Sequence, residues 1–141
     1  MANAGALTVL QSDPRWRGHK ARVARAARAV KPPGAIAIQL ADDAAVQALN
    51  AQFRGKNKPT NVLSFPDGEE GRLGDIILAY ETIAREAEAQ GKQFADHVSH
   101  LVVHGVLHLM GYDHETDTDA TAMEHKEVIV LRAMGIANPY E

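Results

Sequence analysis

His104 and His108, followed six residues later by His114, have the types and spacing to hold a metal ion. On a helix, residues four apart share a face and lie about 6 Å apart along the axis, so both imidazoles can reach one ion. Gly111 stands between the pair and the third histidine, and glycine readily adopts the left-handed conformation that ends helices. The chain can therefore turn there and bring His114 back to the pair. Three neutral nitrogen donors suit zinc or a first-row neighbour, and three without a fourth match an open, catalytic coordination sphere. The bland alternative is a pair of core histidines that happen to share a helix face. The third histidine and the apolar surroundings count against it, because clustered buried imidazoles need partners that a metal supplies at once.

The spacing resembles the metzincin protease signature, with one difference that decides the chemistry. In that signature a glutamate follows the first histidine and acts as general base. Here the position is Gly105. A zincin-like metalloprotease is therefore the second choice rather than the first.

The elements that must position these histidines follow from the apolar pattern. Phe94 or Asp96 begins the metal helix, which is apolar on most sides through Val98, Leu101, Val102, Val103, Val106, Leu107 and Leu109, so it is expected to be buried. A last helix spans about Thr118 to Met134. Upstream, strands are expected at Ala6 to Leu10, Ala35 to Leu40, Asn61 to Phe65 and Gly74 to Ala79, the third of them an edge strand because Pro59 and Pro66 bracket it. Helices are expected from Arg15 to Val30, from Ala41 or Asp42 to about Phe53, and from Glu81 to Gln90. Strands and helices alternate early and helices dominate late. The expected fold is thus α+β, one small mixed four-stranded sheet packed with about five helices and carrying a zincin-like metal helix.

The chain of 141 residues is expected to form a single domain, residues 1–141, with 45% hydrophobic and 23% charged residues. Cysteine is absent, which excludes disulfides and thiolate ligands or nucleophiles. Neither a secretory leader nor a membrane span is expected, and a cytoplasmic location fits. The net charge of −3 hides a division. Residues 1–60 hold ten cations against three acids, and residues 61–141 hold five against fifteen. Such asymmetry can hold a polyanion on one side of the molecule, although a well-solvated helix face explains it equally.

Several further residues gain meaning from a family. The segments Leu49-Asn50 through Arg54, Pro59 through Pro66, Leu73-Gly74-Asp75-Ile76, and His104 through His114 with Met123 and Glu127 after them make the chain resemble the YbeY family. These are bacterial metal-dependent endoribonucleases associated with ribosomal RNA maturation. The resemblance covers about the last two-thirds of the chain and departs from the family at Asn61, where many relatives carry aspartate. It implies that His104, His108 and His114 bind one divalent metal, usually zinc, and that Arg54 and His114 are needed for catalysis. It also implies hydrolysis of single-stranded RNA, action at the 3′ end of 16S ribosomal RNA and in ribosome quality control, and the ribosome or its proteins as partners. The physics agrees, since phosphoryl transfer needs positioning and charge more than a strong carboxylate base. Asp75 and Asp113 are candidates to orient histidine ring nitrogens, with local capping as the alternative. Met123 is a candidate to lie under the metal, though a core role is commoner. His97 and His100 extend the ligand stripe; they are expected to support it or face solvent, with contact to substrate as the alternative. The non-enzymatic alternative is a ribosome-assembly or RNA-binding factor with a structural metal and a fourth protein ligand.

Overall fold

β-branched and apolar residues in alternation build the sheet, and short apolar runs make its two central strands. The computed structural model describes residues 6–58 and 60–141. Its four strands are β1 (Leu7–Gln11), β2 (Ala35–Ala41), β3 (Val62–Pro66) and β4 (Arg72–Ala79), in the order β1-β2-β4-β3. β1, β2 and β4 run parallel, whereas β3 pairs antiparallel with β4, Ser64 opposite Ile76 and Phe65 opposite Asp75. β3 is an edge strand, as its flanking prolines imply. Five helices join them: α1 (Lys20–Ala29), α2 (Asp43–Arg54), α3 (Tyr80–Ala89), α4 (Phe94–Leu109) and α5 (Asp117–Ala133). The expected α+β architecture of a mixed four-stranded sheet and five helices is the one observed.

Side chains alternate across a strand, so the sheet has two apolar faces. Ile36, Ile38, Leu40, Ile76 and Leu78 join Val23 and Ala27 of α1 and Val102, Val103 and Val106 of α4 in the larger core. Leu63, Ile77 and Ala79 meet Val46 and Leu49 of α2 on the other face. α4 therefore lies against the sheet with α5 packed beside it, and ten of its residues are buried. Contact with the β3–β4 hairpin is close. A Cβ on Gly74 (φ 152°) would stand 2.4 Å from the Phe65 carbonyl oxygen and 2.8 Å from Leu109 Cδ2. Only glycine lets α4 and the two strands approach this nearly.

One expected helix is broken. Arg15 to Val30 divides into a 3-10 turn, Pro14–Trp16, and α1, because Gly18 takes φ 86° between them. Trp16 still fills the apolar stripe, fully buried, with Nε1 donating to the Ala41 carbonyl at 2.8 Å. Its removal would cost about 3–5 kcal/mol by the usual scale for buried aromatics. The start of α2 falls as expected, with Asp42 accepting from Ala45 N at 2.8 Å. α2 and α3 also cap each other. Asp43 accepts from Thr82 N at 2.9 Å while Glu81 accepts from Asp43 N at 3.0 Å, which satisfies one free amide on each helix.

Candidate metal centre

α4 carries two ligand candidates because its polar residues fall on one stripe. His104 Nε2 and His108 Nε2 face each other at 3.1 Å. The helix then closes at Leu109, Gly111 turns with φ 102°, and Tyr112 N donates to the Leu107 carbonyl at 3.0 Å. That turn brings the His114 ring centroid to 5.7 Å from His104 and 5.1 Å from His108. α5 begins just beyond, capped by Thr116, whose hydroxyl accepts from Asp119 N at 3.1 Å, so His114 sits on a short loop anchored at both ends.

The three ligand atoms lie within 4.8 Å of one another, and no fourth His, Asp or Glu joins them among the described residues. Two imidazoles on tetrahedral zinc, each with a bond of about 2.0–2.1 Å, stand roughly 3.4 Å apart. His104 and His108 already meet that spacing, and the exposed His114 needs to close by little. Burial, then the neighbouring His104 and His114 rings, lowers the His108 pKa, which favours the neutral form that ligates metal. The donor set fits one divalent ion in an open site.

Support for the cage comes from a residue to which the sequence reading gave no role. Glu127, on α5 and 1% exposed, lies with Oε2 3.5 Å from His104 Nδ1 and 2.5 Å from His100 Nε2. Tyr140 donates its hydroxyl to the same carboxylate at 2.9 Å. Burial raises the Glu127 pKa, but the bonds from His100 and His104 outweigh it and hold the group near 2. A carboxylate on Nδ1 keeps the proton there and leaves Nε2 as the lone-pair donor. The signal was legible in principle: Glu127 interrupts an apolar stripe of Met123, Val130 and Leu131, and a charge at a core position of a helix needs partners.

Arg54 is the last residue of α2 and reaches round the sheet edge. Its Nη2 donates to the Ser64 carbonyl of β3 at 2.7 Å, and its guanidinium carbon lies 5.6 Å over the Phe65 ring. Arg54, Thr60, Asn61 and Ser64 line one cleft of about 380 Å³ together with His104, His108 and His114. The structure thus brings together all four proposed site residues.

Other candidates fall elsewhere. Asp113 caps Glu115 N at 3.2 Å, and the exposed Asp75 pairs with Arg72 at 3.4 Å, so neither touches a histidine. His97 is buried against Glu86 at 2.9 Å, and Glu86 also accepts from Asn61 of the cleft. His100 faces Glu127, which in turn lies beside His104. Met123 is buried in the main core. Gly105 turns towards the sheet, where a Cβ would be 3.2 Å from both Ser64 Oγ and Ile76 Cδ1. A glutamate at this position would press on the cleft wall at Ser64 and on the core at Ile76, and fits only if they shift.

An open cage beside an arginine, with a glycine where the zincin proteases carry their carboxylate, is a site of the kind that metal-dependent hydrolases use. The family model for endoribonuclease YbeY matches residues 15–135. The chain belongs to that family, and is an enzyme rather than a passive binding module. It is similar to the endoribonuclease YbeY of Sphingopyxis alaskensis, 48% identical over 147 aligned positions that cover 89% of this chain and 88% of the relative. A relative of the same name from Rhodopseudomonas palustris is 53% identical over 74% of this chain, and the chain spans 60% of that protein's length. A solution structure of TM1509 from Thermotoga maritima shares the fold, with a TM-score of 0.59, 24% identity and 91% of each chain covered. Among the described residues, no helix is long and apolar enough to cross a membrane.

Proposed function

We propose that this chain is a single-domain, single-strand-specific endoribonuclease that hydrolyses RNA phosphodiester bonds at a zinc ion held by His104, His108 and His114. The observation that carries this reading is the shared cleft, in which Arg54 and the three histidines face one space. When bound, the ion supplies Lewis acidity, lowering the pKa of coordinated water to about 7. Arg54 holds the scissile phosphate through charge-assisted hydrogen bonds, which strengthen as negative charge develops. Burial keeps His108 in the neutral form, Glu127 fixes the orientation of His104, and His114 completes the cage from its loop. In hydrolysis the attacking oxygen forms a bond to phosphorus, the bond to one ribose oxygen breaks, and that oxygen leaves with a proton.

The names of the relatives support RNA as substrate. The resemblance to the family supports cytoplasmic ribosomal RNA as the target, at the 3′ end of 16S RNA and in ribosome quality control, with the ribosome or its proteins as partners. A peptide substrate is disfavoured by the packing at Gly105. A purely structural metal is disfavoured by the lack of a fourth ligand among the described residues.

The deciding experiment is metal analysis of the purified protein coupled to cleavage of a single-stranded RNA, with and without chelator, for the wild type and His114→Ala. Stoichiometric zinc and cleavage lost with chelator or in the variant are expected. Cleavage that survives both overturns the reading. Product ends distinguish attack by water from attack by the neighbouring 2′-hydroxyl, which leaves a cyclic phosphate.

A further inference from the structure

Phe53 is the residue before Arg54 and is 60% exposed, an unusual position for a large aromatic side chain. Its ring meets Phe65 with centroids 5.6 Å apart and planes at 66°, an edge-to-face contact that fixes its orientation. Successive residues of a strand face opposite sides, so Ser64 turns towards α4 while Phe65 turns to the α2 face. On that face lies a groove of about 450 Å³, walled by Leu10, Leu49, Phe53, Phe65 and Ile77, with Gln39 and Asp75, whose carboxylate pairs with Arg72, also along it. Leu10, also in the wall, is 51% exposed.

The groove and the cleft share no lining residue and lie on opposite faces of β3, but one side chain stands beside both. Arg54 lines the cleft and covers one part of the Phe65 ring, which lines the groove. Beyond it Lys56 and Lys58 are exposed and form no ion pair among the described residues. A phosphate-binding cation, two further cations and an exposed aromatic ring beside an apolar slot with polar edges match the chemistry of a nucleotide: an anionic backbone, a flat apolar face and a hydrogen-bonding rim.

We propose that Phe53 and the groove beside it form a stacking subsite for an unpaired nucleobase of the strand whose phosphate is held at Arg54. This deepens the nuclease reading and rests on it. It also gives that reading a cause for strand selectivity, because a paired base is stacked within its duplex and cannot offer its face to the ring.

The test measures binding, separately from turnover. A labelled single-stranded oligoribonucleotide, the same strand with one abasic position, and its duplex are titrated with metal-free full-length protein. Phe53→Ala is expected to weaken single-strand binding about tenfold and to leave duplex binding unchanged. Phe53→Leu, which keeps apolar bulk without a ring face, should fall with it. Phe53→Trp should keep affinity and show indole emission quenched by the strand, with wild-type Trp16 as the blank. An abasic position should lower wild-type affinity and add little to Phe53→Ala. Wild-type affinity in Phe53→Ala or Phe53→Leu overturns the subsite. So does a dimer in sedimentation that Phe53→Ala dissociates while RNA affinity stays constant, since the groove is then a contact between copies. If the wild type cuts RNA and Phe53 is indifferent, the subsite alone falls. If the wild type neither binds nor cuts RNA, the nuclease reading falls and the subsite with it.

Discussion

Glu127 Oε2 lies 3.5 Å from His104 Nδ1, on the side of the ring away from the nitrogen that faces His108. One buried carboxylate on α5 thus sets which nitrogen of an α4 histidine is free to ligate. Glu127→Gln keeps the shape and removes the charge. Zinc affinity, measured by competition with a chelating dye, should fall about 10- to 100-fold while the far-ultraviolet spectrum stays native. An unchanged affinity would remove Glu127 from the site.

Arg54 holds the Ser64 carbonyl with one N–H and leaves the rest of its fork towards the cleft. Lysine keeps the charge but loses the planar pair of donors. Arg54→Lys should lower kcat/KM on single-stranded RNA by roughly 100-fold, with bound zinc unchanged. Cleavage at the wild-type rate would show that paired recognition of phosphate is the wrong role.

Gly105→Glu restores the residue that a zincin protease carries, and provides a direct test of the packing argument. The new side chain meets Ser64 and Ile76, so stability in urea should drop by about 1–3 kcal/mol or more, and casein should remain uncut. Peptide hydrolysis by this variant would mean that Ser64 and Ile76 give way and admit the carboxylate to the cage.

Asp43 gives a pH dependence with a defined sign. Burial raises its pKa, but bonds from Thr82 and Arg85 outweigh burial and bring it below the ordinary value. A depressed carboxylate contributes stability above its unfolded pKa, and that contribution is lost as pH falls through the folded value. Asp43→Asn should therefore lower the urea midpoint at neutral pH, and its deficit from the wild type should shrink below about pH 4. A deficit that is constant from pH 7 to pH 2 would assign the effect to shape alone.

Local signals carried most of what was legible in the sequence. Asp42 reads as a cap and Gly111 as the turn before His114, and each holds because the deciding interaction lies within a few residues. The helix drawn from Arg15 to Val30 was too long, because the apolar stripe continues across Gly18 although the backbone does not. Asp75 and Asp113 looked like partners for histidines on composition, yet their geometry is settled by Arg72 and by a local turn. Glu127 and Tyr140 lie 23 and 36 residues beyond His104, and only the packing of α5 and the C-terminal segment on α4 brings them to the cage. The break that Glu127 makes in the apolar stripe of α5 shows that a partner is needed, but not which residue supplies it. Gly105 was read as a missing acid, whereas its structural meaning is the distance between α4 and the sheet.

None of the three ligands belongs to either apolar core, and His114 sits on a loop at the surface. An ion held there would complete a scaffold that hydrocarbon packing builds by itself, instead of nucleating it. Stripping the metal should therefore leave the far-ultraviolet spectrum and the cooperative urea transition in place, so that an emptied chain can be reloaded without refolding.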